Sequence, residues 1–195
     1  MAILPVRKNT RLKGYDYSQV GCYFVTICVK NRQKMLGQIN VGAGSSRLVV
    51  PTVELTEYGI IARDWLHRIH LKYNVSKIDC YVIMPNHIHA ILRLVAENGR
   101  DSPVRNGRDD PAPTTVGGII GFYKYQTTKQ INIPGFWQRS YHDHIIRNET
   151  EYVKIAEYIV NNPLLWKDDC FYQQKISTPV RVANRNYDAF PIYLW

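Results

Sequence analysis

The sequence predicts an α+β fold in which an antiparallel sheet carries helices. Three observations lead there. Strand-like and helix-like segments alternate along the chain in the order β–α–ββ–α–β–α. Two apolar runs, 78–84 and 87–94, are separated only by Pro85-Asn86, which is the turn chemistry of a tight antiparallel hairpin. The chain of 195 residues is 45% hydrophobic and 12% aromatic, enough for a packed core in one domain with extensions. A doubly wound parallel sheet is not expected.

The first twenty residues, with Arg7, Lys8, Arg11 and Lys13, read as a basic arm closing on a Gly14-Tyr15-Asp16-Tyr17 turn. The run from Cys22 to Val29 is β-branched and aromatic and predicts a strand. Gly37, Gly42, Gly44 and Ser45-Ser46 mark a loop or hairpin end. From Glu54 to about Tyr73 the apolar residues Tyr58, Ile61, Trp65, Ile69 and Leu71 recur near helical spacing. The hairpin follows, and then a polar stretch over 95–114 that reads as a loop. A second helix is expected after Gly117-Gly118, from Ile119 to about Ile131. A glycine pair ahead of a helix can cradle phosphate, but a flexible loop end is the simpler reading. A strand is expected over 136–146 and a third helix over Glu149–Asn161, ended by Pro163, which disfavours helical geometry in the residue before it. The tail from Lys167 reads as irregular, with Trp166, Phe171, Tyr187, Phe190 and Trp195 as anchors. The divisions expected are an arm over 1–20, a main domain over 21–168 and a tail over 169–195.

Composition narrows the function classes. The formal charge of +9 suits a polyanionic partner, because neutralising phosphates releases condensed counterions. No basic amphipathic helix with an apolar face stands out and no apolar run approaches the roughly 20 residues of a membrane span, so nucleic acid is favoured over membrane. The N-terminus has no apolar core of the kind a secretory signal carries, and the expected location is the cytoplasm, with the nucleoid. Cys22, Cys28, Cys80 and Cys170 are far apart and form no CxxC pair, which argues against a zinc ribbon or a disulfide framework.

Alternation on the hairpin's second strand places His87 and His89 on one face and Ile88, Ala90, Leu92 and Leu94 on the other. Two imidazoles about 6–7 Å apart on one strand face can converge on a metal ion. An outward-facing polar pair would show the same alternation, so a third ligand must come from elsewhere. On the third helix, Tyr152, Val153, Ala156, Ile159, Val160 and Pro163 form the expected buried arc and Lys154, Glu157 and Asn161 the solvent arc. Tyr158 and Asn162, four apart, stack at the border between them. A phenol and a carboxamide oxygen are thereby set side by side. The second His-x-His, His142-Asp143-His144, is a rival metal pair. Trp137 and Arg139 could contact a base and a phosphate, and Trp137 could equally be core.

Three blocks resemble the single-tyrosine transposases of the HUH class, and within them the branch associated with repetitive extragenic palindromes (REP). They are Tyr81-Val82-Ile83-Met84-Pro85-Asn86-His87-Ile88-His89-Ala90-Ile91, the run from Phe136 to Asn148, and Tyr158-Ile159-Val160-Asn161-Asn162-Pro163. The segments Arg11 to Tyr17 and Tyr23 to Cys28 also fit. The resemblance spans roughly residues 7–168.

It implies a ferredoxin-like antiparallel sheet in a single HUH nuclease domain over 21–168. It also implies Tyr158 as nucleophile, with His87, His89 and Asn162 as ligands of a divalent Mg or Mn. The implied reaction is nicking of single-stranded DNA near a hairpin through a 5′-phosphotyrosine, with religation. The implied partner is single-stranded DNA or a DNA hairpin, with Arg7, Lys8, Arg11, Lys13, Lys124, Lys129 and Arg139 as candidate DNA contacts and a monomer as the expected state. Two other classes stay open: a hairpin-binding protein that does not cut, and a metal-dependent nuclease that uses water.

Overall fold

The computed structural model describes residues 12, 14–40, 51–96 and 114–172. The expected arm residues Arg7, Lys8, Arg11 and Lys13, the loop across 97–113 and the anchors Tyr187, Phe190 and Trp195 lie outside the described residues. The elements are β1 (Gly21–Cys28), β2 (Gly37–Asn40), β3 (Thr52–Leu55), α1 (Glu57–Lys72), β4 (Ser76–Ile83), β5 (His87–Leu94), α2 (Val116–Ile131), β6 (His142–Ile146) and α3 (Glu149–Asn161). Short 3-10 turns follow β1 at Lys30–Arg32 and α3 at Trp166–Asp168.

The main sheet has the order β4-β5-β1-β6 and is antiparallel throughout; β2 and β3 form a separate hairpin. With β5 between β4 and β1, this is a split βαβ with an added edge strand, the ferredoxin-like arrangement. The α+β expectation holds.

The two sheet faces differ in kind. Tyr23, Val25 and Ile27 of β1 and Ile88, Ala90, Leu92 and Leu94 of β5 form one face, packed against Ile61, Ala62, Leu66 and Ile69 of α1 and Ile119, Ile120 and Tyr123 of α2. These side chains are nearly all below 5% exposed, and each such burial contributes roughly 1.5–3 kcal/mol. The opposite face carries Phe24 and Ile91, covered by Ile155 and Ile159 of α3. Polar His87, His89 and Thr26 sit on that second face and are just as buried.

Each helix begins on a side-chain cap. Thr56 accepts from the Gly59 N–H, Thr115 from the Gly118 N–H and Asn148 from the Glu151 N–H. The Thr115 cap puts Gly117 and Gly118 inside the first turn of α2, so they are not a loop end. The expected start of α1 at Glu54 is also corrected: Thr52–Leu55 pairs with β2, and the helix begins only after the Thr56 cap. Within the expected 136–146 strand only His142–Ile146 joins the sheet as β6, with a single bridge from Trp137 to Val29 before it. Trp137 is core, 6% exposed, and donates its indole N–H to Thr127.

The buried arc of α3 is rotated from the expected one. Val153 and Val160 are exposed, whereas Ile155, Ile159 and Asn162 are buried. Apolar residues occupy more than one side of this helix, so its period fixes the helix but not the side the sheet selects.

Gly59 marks a close approach between α1 and the chain entering β2. A Cβ there would collide with the carbonyl of Leu36 and crowd Leu55. Alanine is worth about 1 kcal/mol over glycine in an open helix. Overpacking outweighs that here, and we expect Gly59→Ala to destabilise by about 2 kcal/mol. A urea melt checks the sign, since an unconstrained glycine would give a gain.

Candidate metal centre and tyrosine site

The site is built on the start of β5. Met84 N–H donates to the His87 carbonyl and Val29 N–H to the Asn86 carbonyl, so the Pro85-Asn86 turn is pinned between β4 and the exit of β1. His87 and His89 then project from the same face into an apolar box. Phe24 stacks on His89 at 5.2 Å, Phe171 lies 4.5 Å from the His87 ring and 5.9 Å from the His89 ring, and Trp166 closes the side of His87 at 6.0 Å.

Each imidazole is oriented through its Nδ1. Asn86 Oδ1 is 2.8 Å from His87 Nδ1, and Thr26 Oγ1 is 2.8 Å from His89 Nδ1. This leaves both Nε2 atoms facing the interior of the box, the arrangement in which outer partners fix ring orientation at metal sites. Burial holds both rings neutral: His87 is pushed well below the usual imidazole range, with the neighbouring His89 and Arg32 adding to it, and His89 is pushed down to about 3. A neutral imidazole is the form that binds a metal.

Two further elements close on the same point. Asn162 caps α3 and is 1% exposed, in helical geometry (φ −55°, ψ −39°) although Pro163 follows it. The proline therefore does not turn this residue out of the helix. Asp169, just after the second 3-10 turn, brings its Oδ2 to 3.8 Å from His87 Nε2, with its side chain 2% exposed. Burial raises the Asp169 carboxyl, while the Phe171 N–H and the Asn162 side chain pull it back down.

Three buried polar atoms, His87 Nε2, Asn162 Oδ1 and Asp169 Oδ2, have no hydrogen-bond partner here. Each such atom costs about 1–3 kcal/mol when left unmade, so their convergence needs a compensating group. His87, His89 and Asp169 each offer a ligand atom within 4.8 Å of the others, and this group could hold a metal ion. Two imidazole nitrogens with hard carboxylate and carboxamide oxygens suit a divalent cation. The donor set fits.

Tyr158 reaches this cluster from the inner edge of α3. Its hydroxyl is 3.4 Å from His89 Nε2 and its ring lies 5.3 Å from the imidazole. Burial and the Asp169 charge push the phenol well above its usual range, and the Asn162 side chain opposes this. The hydroxyl is thus protonated at neutral pH.

The structure brings together Tyr158, His87, His89 and Asn162 as the sequence led one to expect, and adds Asp169. The signal for Asp169 was faint: an acid set between two aromatic residues, Trp166 and Phe171. That segment is tied down from two sides. Asn86 Nδ2 donates to the carbonyls of Phe171 and Arg32, and Arg32 donates to the Cys170 carbonyl with its guanidinium 4.9 Å over the Phe171 ring. Asn31 and Arg32 take left-handed φ values of 55° and 53°, a costly turn held by these contacts.

Other expectations are redirected. Lys124 is a structural cation: its Nζ donates to the carbonyls of Gln138 and Ser140, and burial lowers it to about 8. It anchors the segment before β6. Lys129 and Arg139 are exposed. In the rival pair, His144 Nε2 lies 2.6 Å from Glu151 Oε1, beside the Asn148 cap of α3. Among the described residues, neither His142 nor His144 belongs to a group of three metal-ligating side chains.

Comparison with known proteins bears on the family and the fold. No protein-family model matches the chain. An uncharacterised protein of Haemophilus influenzae is 34% identical over 176 residues, covering 85% of this chain and 93% of that protein. The chain belongs to one family with it. Among solved structures, a REP-associated tyrosine transposase bound to a REP hairpin shares the fold with a TM-score of 0.51 at 21% identity, over 83% of this chain and 73% of that one. A putative transposase from Deinococcus radiodurans matches at a TM-score of 0.40 and 17% identity, over 77% of this chain and 95% of that one. The fold is transposase-like.

Two outcomes follow from the cluster. Above about pH 6.5 the imidazoles are neutral in folded and unfolded chains alike, and stability is whole. Below it the unfolded chain takes up protons that His89 refuses until about pH 3, so metal-free stability falls with pH across that window, by about 3 kcal/mol from His89 alone at pH 4. Denaturant unfolding as a function of pH reads this directly, and a flat profile from 7 to 4 would contradict it. Separately, Mn at about 100 times its Kd is expected to stabilise the chain by about 2.7 kcal/mol in a thermal melt. Asp169→Ala is expected to abolish most of that gain, and a gain of full size in that variant would remove Asp169 from the ligand set.

Proposed function

We propose that this protein is a metal-assisted single-stranded DNA nickase and strand transferase acting at hairpin sequences, with Tyr158 as nucleophile. The observation that carries the reading is the Tyr158 hydroxyl set 3.4 Å from His89 Nε2, inside a cluster of orphaned ligand atoms. A tyrosine beside a bound cation is an arrangement for attack on a phosphodiester, and a covalent intermediate splits one hard step into two easier ones. The net charge of +9 favours DNA as the substrate, and the transposase of similar fold is one bound to a REP hairpin.

In the proposed step the Tyr158 oxygen forms a bond to phosphorus while the bond from phosphorus to the 3′ oxygen breaks. The phenol gives up its proton and the departing 3′ oxygen takes one, so charge and atoms balance. The product is a 5′-phosphotyrosine and a free 3′-hydroxyl. The covalent bond retains the phosphodiester energy, and attack by a 3′-hydroxyl reverses the step without an external energy source.

His87, His89, Asp169 and Asn162 would hold the cation, Mg or Mn. When bound, it polarises the scissile phosphate and offsets the charge that develops on it. The chain's own residues do the rest. Asn86 and Thr26 keep the two Nε2 atoms turned inward, and the rings of Phe24 and Phe171 exclude water from one side of the imidazoles. Phe24 also lies edge-on to Tyr158 at 6.2 Å, which fixes the plane in which the hydroxyl is presented.

A labelled hairpin oligonucleotide incubated with protein and Mn is expected to give a denaturation-resistant adduct whose mass maps to Tyr158. Tyr158→Phe is expected to lose the adduct entirely and to cut at least about a thousandfold more slowly, as when a member of a concerted catalytic unit is removed. Undiminished cutting by that variant would mean that water is the nucleophile. Binding without any cutting by the unaltered protein would leave a hairpin-binding module.

A further inference from the structure

Three segments of the chain meet at the metal cluster, and Arg32 links them. Its backbone carbonyl accepts from Asn86 Nδ2 at 3.2 Å, and the same Asn86 presents Oδ1 to His87 Nδ1 at 2.8 Å. Its guanidinium lies 4.9 Å over the Phe171 ring, which in turn lies 4.5 Å from the His87 ring. Its Nη1 donates to the Cys170 carbonyl at 3.1 Å. Backbone and side chain of one residue thus reach the turn before β5 and the segment after the second 3-10 turn together.

The Cys170 carbonyl is the point at which this matters for the ligands. Cys170 stands between Asp169 and Phe171, inside a turn closed by the Phe171 N–H on Asp169 Oδ1 at 2.7 Å. That turn commits Oδ1 to the backbone and leaves Oδ2 facing His87 Nε2 at 3.8 Å. Whatever holds the turn also sets the reach of the carboxylate. Among the described residues, the turn is held to the rest of the chain by Arg32 at Cys170 and by Asn86 Nδ2, which donates to the Phe171 carbonyl at 2.8 Å.

The placement of Arg32 is unfavourable in two ways that an ordinary surface arginine avoids. Arg32 and Asn31 before it have left-handed φ values of 53° and 55°, a conformation uncommon for residues with a side chain. The guanidinium is also a permanent positive charge beside a proposed cation site. Burial does most to lower the His87 ring, then the neighbouring His89, and the Arg32 charge adds to both. Like charges repel, so an arginine acting through its field alone would weaken the binding of a divalent ion. Its contacts pull the other way, by keeping the Asp169 turn against His87. A planar guanidinium suits that task, since its edge bonds a carbonyl while its face covers an aromatic ring.

We infer that Arg32 is a positioning residue of the metal centre, which holds the Asp169–Phe171 turn in place so that the Asp169 carboxylate meets the ion together with His87. The inference rests on the reading of Asp169 as a ligand of the proposed cation. Asn86 belongs to the same clamp, since its amide joins the Arg32 and Phe171 carbonyls. The sign of the effect separates the two roles open to this arginine. A clamp strengthens metal binding, and a bare charge weakens it.

The test titrates Mn into the full chain and follows water-proton relaxation, which reads both the affinity and the number of exchangeable waters on the bound ion. Arg32→Ala is expected to weaken Mn about tenfold, the scale on which outer partners of metal ligands act, and to add one water. Asp169→Ala is expected to add the same water. In that background Arg32→Ala is expected to weaken Mn by less than about twofold more, because the carboxylate through which Arg32 acts is gone. Arg32→Gly, which accepts the left-handed backbone, is expected to melt higher than Arg32→Ala without Mn and yet to bind Mn as weakly. It carries the test where the alanine variant does not fold. Arg32→Lys keeps the charge without the planar fork and is expected to lose at least about threefold. Unchanged or tighter Mn binding in Arg32→Ala and Arg32→Gly, or the same loss with and without the Asp169 carboxylate, overturns the inference. A chain that binds no Mn overturns it together with the metal centre. Cutting of a hairpin by the unaltered chain is scored separately. A protein that shows the Arg32 effects on Mn but never cuts keeps the inference and loses the nickase reading. One that cuts while Arg32→Ala binds Mn normally does the reverse.

Discussion

Two imidazoles buried at 0% and 2% exposure on the central strand β5 are the constraint around which the second face of the sheet is arranged. A buried polar ring must be hydrogen-bonded, and a buried ring of this kind must also stay neutral. The chain answers the first demand with two residues from different strands, Asn86 at the hairpin turn and Thr26 across β1. It answers the second with the rings of Phe24, Phe171 and Trp166. What the aromatic walls leave open, the two inward Nε2 atoms, is where α3 and the chain after it deliver Tyr158, Asn162 and Asp169. The other face of the sheet, closed by α1 and α2, carries the apolar core that keeps this assembly in register.

That division of labour also explains why the site face is the less comfortable one. Unsatisfied His87, Asn162 and Asp169 atoms within one box raise the energy of the metal-free fold. The same atoms would serve as a prepared set of ligands, with the cost of organising them met during folding and not when an ion arrives. Two left-handed residues in the turn after β1 add to it, in exchange for holding the Phe171 backbone against Asn86.

Much of this was legible in the sequence, and the limits have physical causes. Strand alternation at His87 and His89 separates a polar face from an apolar one, because period two leaves no ambiguity about which residues travel together. The Pro85-Asn86 turn identifies the hairpin. On α3 the period gives the helix but not its rotation, since Val153 and Val160 are as apolar as Ile155 and Ile159 and only the sheet's Phe24 and Ile91 decide between them. Lys124 looks like any surface lysine until Gln138 and Ser140 turn two carbonyls toward it. Asp169 lies in a stretch with no periodicity at all, and its contact with His87 spans 82 positions of the chain. Local pattern carries no information about such a contact.

That long span sets an order of events. Among the described residues, every strand of the main sheet and the helices α1, α2 and α3 precede Asp169 in the chain, and the N-terminal side is synthesised first. The imidazoles can therefore be set on β5 beside Phe24 of β1 while Trp166, Asp169 and Phe171, which complete the box, have yet to dock. Asn86 waits with an amide directed at a carbonyl, Phe171, that arrives later still. A nascent chain thus passes through a stage with the scaffold present and the ligand set one member short. Completion of the centre therefore requires that the chain has been made as far as residue 171.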